Sequence, residues 1–353
     1  MIRTRGLTKD FVVSRTETVH AVRGIDLDVA PGELVAVLGP NGAGKTTTMR
    51  MLTTLIRPTA GSATVAGADI TSDPATVRRN IGYVGQGNGA GHVQRAADEI
   101  VAQGRIYGLD AGTARRRADD LLDALDLRPL ARRKVSDLSG GQRRRLDVAL
   151  GLVHAPRLLF LDEPSTGLDP QTRANLWDHI LRLRAERDMT IVLTTHYLDE
   201  ADTMAERVVV VDHGRVIADD TADGLKRTLA GDRLVLEVAD DGPVSPTTAA
   251  PQLAELVSRV PGARDVSVDG RTVSARVADA PAAVPGVVVA ASAAGLTVAT
   301  AQAIRPTLDD VFLALTGRSL RDEGAPPDAV TGDDPLADPT ATTTDPQTRK
   351  DAA

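Results

Sequence analysis

A glycine-rich segment at residues 38–47 has the residue types and spacing needed to bind phosphate. Its sequence is LGPNGAGKTT, with four residues between the first glycine of the motif and a Gly-Lys-Thr triplet. Glycines allow successive backbone N–H groups to point toward one anion, and the helix that follows adds the positive end of its dipole. The lysine is expected to reach the β- and γ-phosphates, and the first threonine to bind Mg²⁺. We therefore predict a nucleotide site formed by Gly39, Pro40, Asn41, Gly42, Ala43, Gly44, Lys45, Thr46 and Thr47.

A second turn of the same chemical kind precedes the predicted helix 143–153. It consists of Ser139, Gly140, Gly141 and Gln142. A Ser/Gly turn at the start of a helix exposes backbone N–H groups, so it is also suited to bind an anion.

Two adjacent carboxylates end a strongly apolar stretch at residues 157–164, RLLFLDEP. A continuous apolar run predicts a strand covered on both faces of a parallel sheet, and ligands bind at the carboxyl ends of such strands. Asp162 is therefore suited to hold Mg²⁺, and Glu163 to act as a base or to orient water. His196 ends another predicted strand, 190–195, and is set apart from the other five histidines, which we interpret as structural.

Two further features have simpler interpretations. Phe11 is either an ordinary core residue or a surface on which adenine stacks. The arginine runs 115–117 and 143–145 are expected to be solvated helix faces.

The chain divides into three predicted parts. Residues 1–230 contain the motifs above, with a β-rich start at 2–38, helices predicted at 47–57 and 171–187, and a helical stretch at 94–131. Residues 231–320 have a β-α-β-β-α-β pattern, which predicts a small ferredoxin-like α+β domain closed by a helix at 307–316. Residues 321–353 are dominated by Pro, Asp, Thr and Ala and are predicted to be disordered.

Composition excludes several classes of protein. The net charge is −7, most of it in the tail, and only 2% of residues are aromatic, so the chain lacks the signature of a nucleic-acid-binding protein. It contains no cysteine, hence no disulfide or thiolate metal site. Residues 280–304 are uncharged but rich in alanine and interrupted by Pro285, so we predict a helix and strand rather than a membrane span.

Together the motifs resemble an ABC-type ATP-binding cassette over residues 2–230. GPNGAGKT, Gln86, LSGGQ, LLFLDEP, STGLD and His196 occur in the order of that family. Within it, STGLDP, TTHYLDEAD and RPTLDDVFLALTG at 305–317 are similar to the ATP-binding subunits of daunorubicin- and doxorubicin-resistance exporters. The resemblance implies an α/β phosphate-loop ATPase fold.

The resemblance also implies a role for each motif. Residues 39–47 would bind the phosphates of ATP, and Thr46, Gln86 and Asp162 would surround Mg²⁺. The catalytic residues would be Glu163, His196 and Gln86: Glu163 would polarise water, and Gln86 would sense the metal and water and face the membrane partner. His196 would bond the γ-phosphate, and Phe11 would stack on adenine. Residues 139–142 would cover ATP held by the other protomer of a homodimer, with Asp169 crossing the interface.

By this resemblance the chain would be an ATPase that energises a separate integral-membrane permease from the cytoplasmic face of the membrane. Drug or antibiotic export is the implied task, with lipid or polysaccharide export left open. The alternative is a soluble ABC ATPase of the ribosome-associated or DNA-repair type. The former usually carries two cassettes, and the latter a long coiled coil between the phosphate loop and LSGGQ.

Overall fold

The computed structural model describes residues 1–87, 89–91, 93–240 and 244–317. The predicted disordered tail, 321–353, and the last three residues of the predicted small domain lie outside these ranges. The strands are β1 Ile2–Val12, β2 Thr18–Val29, β3 Leu34–Leu38, β4 Ala60–Val65, β5 Ala68–Asp69, β6 Ile81–Val84, β7 Leu158–Asp162, β8 Thr190–Thr195, β9 Arg207–Asp212, β10 Arg215–Asp220, β11 Asp232–Val238, β12 Arg264–Asp269, β13 Thr272–Val277 and β14 Val298–Ile304. The α-helices are α1 Lys45–Leu52, α2 Pro74–Asn80, α3 Ala96–Ile106, α4 Ala111–Ala124, α5 Gly140–Leu152, α6 Pro170–Arg187, α7 Leu198–Met204, α8 Ala222–Leu225, α9 Pro246–Ser258, α10 Ala280–Ala293 and α11 Leu308–Thr316.

The central layer is a six-stranded sheet with the order β10-β9-β3-β8-β7-β6. Neighbouring strands in this sheet run parallel to each other, except that β10 is antiparallel to β9. Every residue of β3, β7 and β8 is buried, as the continuous apolar runs predict. Strand β8 lies between β3 and β7, so the phosphate loop, the acidic pair and His196 all emerge at one edge of the sheet.

Alternation along β3 separates two hydrophobic cores. Leu34 and Ala36 belong to the core shared with helices α3 to α6, and Val35 and Val37 to the core on the opposite face. That opposite face is covered by α1 and by an antiparallel sheet with the order β2-β1-β4-β5. The central sheet is therefore sandwiched between a helical layer and a second sheet.

The helical stretch predicted at residues 94–131 consists of α3, α4 and a short 3₁₀ helix at Arg128–Leu130. Gly108 has a φ of +86°, which favours glycine and does not continue a helix. Asp110 then caps α4 by accepting a hydrogen bond from the backbone N–H of Thr113, at 2.9 Å. The glycine turn and the Asp110 cap thus separate α3 from α4, although the flanking residues favour a helix.

The C-terminal sheet is antiparallel with the order β12-β13-β11-β14, the arrangement of a ferredoxin-like β-α-β-β-α-β unit. Helices α9 and α10 cover one of its faces and form a core of their own with it. The helix predicted to close this unit, α11, packs elsewhere. Its buried residues Leu308, Val311 and Phe312 belong to the helical core of the cassette.

In the described part of the chain, no helix is long and apolar enough to cross a membrane. The helix within the uncharged segment 280–304 is α10, which is followed by strand β14, as predicted.

Candidate active site

The phosphate loop closes around the side chain of Lys45. This lysine is buried, and its Nζ donates hydrogen bonds to the carbonyl oxygens of Gly39 (2.7 Å) and Pro40 (2.9 Å). A Cβ at Gly39 would lie 2.1 Å from a backbone oxygen of β9. Gly44 has a φ of +101°, and a Cβ there would lie 2.5 Å from the carbonyl oxygen of Ala21. Both glycines are therefore required by close backbone approach.

A cavity of about 490 Å³ lies against this loop. Its walls come from the loop, the β2 strand, Gln86, the acidic strand end and the β9–β10 turn. The lining residues are Val19, His20, Ala21, Arg23, Asn41, Gly42, Ala43, Gly44, Lys45, Thr46, Thr47, Gln86, Glu163 and His213. The cavity thus contains most of the predicted phosphate-binding residues, together with two of the three predicted catalytic residues.

Asp162 links the end of β7 to β8 and to the start of α1. Its Oδ1 accepts a hydrogen bond of 3.0 Å from Thr46 Oγ1 and one of 2.6 Å from Thr194 Oγ1. Gln86 Nε2 in turn donates to Thr46 Oγ1 at 3.1 Å. Among the described residues, no group of three or more His, Cys, Asp or Glu side chains could hold a metal. The Asp162 carboxylate beside the Thr46 hydroxyl instead fits Mg²⁺, an ion that binds few protein oxygens and takes its other ligands from water and phosphates.

Glu163 is held in a left-handed backbone conformation with a φ of +49°. Such a conformation is strained for a residue with a side chain and recurs at functional sites. The Glu163 N–H donates to the carbonyl and the hydroxyl of Thr194, each at 3.1 Å. The carboxylate accepts from Thr166 Oγ1 at 3.3 Å and lies 3.5 Å from His196 Nδ1. The imidazole lowers the pKa of Glu163 below its ordinary value, and partial burial opposes this effect without reversing it.

The residues of the second predicted anion-binding turn cap α5. The Ser139 hydroxyl accepts from the Gln142 N–H at 3.3 Å, and the Ser139 N–H donates to Gln142 Oε1 at 3.0 Å. Asp169 caps α6 by accepting from the N–H of Thr172 at 2.9 Å. Thr172 also packs against Gly141, where a Cβ would be 2.2 Å from its methyl carbon. The two caps are therefore neighbours, but neither belongs to the cavity lining of this protomer.

Comparison with known proteins agrees with this geometry. Residues 22–166 match the sequence profile of the ABC transporter family. The chain is 43% identical to the daunorubicin resistance ATP-binding protein DrrA3 of Streptomyces coeruleorubidus, over 89% of this chain and 97% of that protein. This chain belongs to the family of ABC transporter ATP-binding proteins. It is also 42% identical to the daunorubicin/doxorubicin resistance ATP-binding protein DrrA of Streptomyces peucetius, over 91% of this chain and 94% of that protein.

The fold of this ABC ATPase is similar to that of a solved cassette. A dimeric ATP-binding cassette in a post-hydrolysis state, bound to ADP and Pi, aligns with a TM-score of 0.58 and 25% identity. The alignment covers 63% of this chain and 98% of that structure.

Phe11 of the ABC ATPase lies outside the cavity lining. Its side chain is 40% exposed, and Lys9 Nζ is 5.1 Å from the ring centroid. The residue paired with it on β2 is Val19, which does line the cavity. The interpretation of Phe11 as an ordinary core residue is therefore wrong, and adenine stacking stays a prediction.

The expectation that residues 143–145 form a solvated face is wrong for Arg144. Its side chain is buried and donates to backbone carbonyls, including Pro164 O at 2.6 Å. No periodicity in the ABC ATPase sequence distinguishes Arg144, because residues 146–152 of α5 are all buried, so the positions four and seven after each of the three arginines are buried alike. Thr194 was also missed, since a threonine inside a buried strand carries no motif.

Proposed function

We propose that this ABC ATPase energises a separate integral-membrane permease that exports drugs or antibiotics. The observation that carries the proposal is the extent of the similarity to the daunorubicin resistance proteins. It spans 315 residues, 97% of one of them, and so extends well beyond the cassette motifs into the C-terminal part of the chain. Association with a permease would put the ATPase at the cytoplasmic face of the cell membrane.

The residues around the phosphate loop support a division of roles in hydrolysis. Residues 39–47 hold the phosphates of ATP, with the Lys45 ammonium beside them as the compensating charge. Thr46, Gln86 and Asp162 form the Mg²⁺ site. When bound, Mg²⁺ neutralises charge on the phosphates. The hydrogen bonds from Gln86 to Thr46 and from Thr46 to Asp162 support this assignment, because they hold the hydroxyl and carboxylate oxygens together with the Gln86 amide beside them.

Glu163 acts as the base that orients and polarises the attacking water. Its lowered pKa keeps the carboxylate ionised, and the hydroxyl of Thr166 and the imidazole of His196 fix its direction. His196 also bonds the γ-phosphate.

Two copies of the chain act together as a homodimer. Residues 139–142 and Asp169 lie near one another but outside the cavity lining of their own protomer. A head-to-tail pair would bring the 139–142 turn of one copy to the phosphate loop of the other, so that each site is completed by its partner. ATP binding then closes the dimer, and hydrolysis reopens it and drives the permease.

The proposed function is tested by recovering the tagged chain from membranes of its native host. We expect an integral-membrane permease to co-purify with the wild type and with Glu163→Gln. Deletion of the gene should raise cellular accumulation of fluorescent doxorubicin, and only the wild-type gene should reverse this. Recovery with ribosomes, and without any integral-membrane protein, would favour the soluble alternative.

A further inference from the structure

Arg144 is a buried cation whose partners in the structure are backbone carbonyls. It lies on α5, one turn after the Ser139 cap, and no more than 8% of its surface is exposed. Its Nε donates to Pro164 O at 2.6 Å, and its Nη2 lies 3.3 Å from Asp162 O and 3.2 Å from Glu163 O. The Arg144 guanidinium therefore binds three consecutive backbone carbonyls, those of residues 162–164, which we call the acidic segment.

This convergence is linked to the unusual backbone of Glu163. In an extended strand successive carbonyls point to opposite sides, so three in a row do not meet one donor group. The left-handed conformation of Glu163 turns the chain at the strand end. The planar guanidinium, with five donors in a fixed arrangement, is suited to hold this turn, and a lysine ammonium is not. Arg144 thus stabilises the strained conformation that directs the Glu163 side chain.

The same guanidinium also reaches the segment that carries Gln86. Arg144 Nη1 donates to Gly85 O at 2.6 Å. Asp147, three residues further along α5 and also buried, accepts from the N–H groups of Gly89 (2.9 Å) and Ala90 (3.1 Å). Helix α5 therefore hydrogen-bonds to the backbone on both sides of Gln86. Arg144 binds the carbonyl of the residue before it, and Asp147 binds N–H groups that follow it.

We propose that Arg144 is a positioning residue for ATP hydrolysis, which holds Glu163 and Gln86 in place relative to the helix that begins at the 139–142 turn. This inference rests on the proposed roles of Glu163 and Gln86. Arg144 touches neither the cavity nor the phosphate loop in the contacts described above. Its substitution should therefore impair the chemical step and leave nucleotide binding nearly intact.

The test compares Arg144→Met and Arg144→Lys with Arg145→Met in the purified full-length protein. Arg145 is a matched control because it belongs to the same run and helix but donates to Leu125 O, away from the acidic segment. For each variant we would measure the ATP Kd by calorimetry, kcat at saturating ATP and the thermal midpoint. Misplacement of a catalytic group by about 1 Å costs on the order of 100-fold in rate.

We expect Arg144→Met to bind ATP within about threefold of wild type and to lose about 30-fold or more in kcat. Arg144→Lys keeps the charge but not the planar donor array, so it should fold and still lose about tenfold or more. Arg145→Met should keep kcat within about twofold. If Arg144→Met does not fold, the lysine variant decides by the same criterion.

Two results would overturn the proposal. One is a kcat within about twofold of wild type in a folded Arg144 variant. The other is a parallel loss of binding and kcat in proportion to the folded fraction. Glu163→Gln is measured in the same experiment, so that a failure of the role proposed for Arg144 can be distinguished from a failure of the role proposed for Glu163. Wild-type turnover in Glu163→Gln would refute the role of Glu163, whereas slow turnover there with normal Arg144 variants would refute only the role of Arg144.

Discussion

Thr46 Oγ1 donates a hydrogen bond of 3.0 Å to Asp162 Oδ1, although the two residues are 116 positions apart in the chain. The threonine begins α1 after the phosphate loop, and the aspartate ends β7. Strand β8 separates their strands in the sheet and adds Thr194, which donates to the same carboxylate oxygen. The three-strand edge therefore gathers a hydroxyl and a carboxylate at the point where the phosphate loop opens.

Glu163→Gln should keep ATP binding but reduce turnover by at least about 100-fold, because the amide keeps the shape of the side chain and cannot accept a proton. Phosphate release at saturating ATP measures the rate, and size-exclusion chromatography with ATP should show an accumulated dimer. Glu186→Gln, an exposed change on α6, is the control. Turnover within about twofold of wild type would show that another group is the base.

The acidic limb of the pH–rate profile should depend on His196. The imidazole lowers the pKa of Glu163, so the carboxylate stays ionised, and active, to lower pH than an ordinary glutamate. His196→Gln removes the largest cause that lowers the pKa of Glu163, while burial still raises it and Lys45 and Thr166 still lower it. The pKa should therefore be higher than in the wild type, and the midpoint of the acidic limb should move to higher pH. The residual kcat of the variant, measured at a series of acidic pH values, shows in which direction the midpoint has moved. An unmoved limb would indicate that Glu163 does not control it.

Mixing two inactive variants should restore part of the activity. Lys45→Ala removes the charge that compensates the phosphates, and Ser139→Arg blocks the turn that would complete the partner's site. A mixed dimer keeps one intact composite site, so equal amounts of the two variants should regain a fraction of wild-type ATPase activity. Full activity in purified Ser139→Arg alone would contradict action of the turn across the dimer.

Phe312→Ala should destabilise the cassette by about 3–5 kcal/mol, the usual cost of removing a fully buried phenylalanine. Phe312 has no exposed surface and belongs to the core shared with the cassette helices, although it follows the C-terminal unit in the chain. Chemical denaturation gives the free energy of unfolding. The adjacent Leu313→Ala is the control, since Leu313 is 43% exposed and should cost far less.

Much of the fold could be predicted because its signals are local. Buried strands β3, β7 and β8 are continuous apolar runs, and the ferredoxin-like unit follows from an alternation of short elements. Residues 94–131 are helical as predicted, but the break between α3 and α4 was not predicted, since the turn at Gly108 depends on backbone conformation that helix propensity does not report. The packing of α11 against the cassette could not be predicted either, because an amphipathic helix does not specify which core it joins.

By itself the sequence determined the phosphate loop, the acidic pair at the end of a buried strand and the Ser/Gly turn at the start of α5. Each of these is a contiguous motif whose backbone and side chains act over a few residues, so type and spacing are sufficient. Only the tertiary structure decided which of the arginines 143–145 is buried and which group accepts the hydrogen bond from the Thr194 hydroxyl. Three arginines in a row are chemically equivalent until α5 is placed against the sheet. In the folded protein, the turn at Glu163 brings three backbone carbonyls close to Arg144. Arg144 can therefore be buried, because a buried guanidinium needs several hydrogen-bond acceptors.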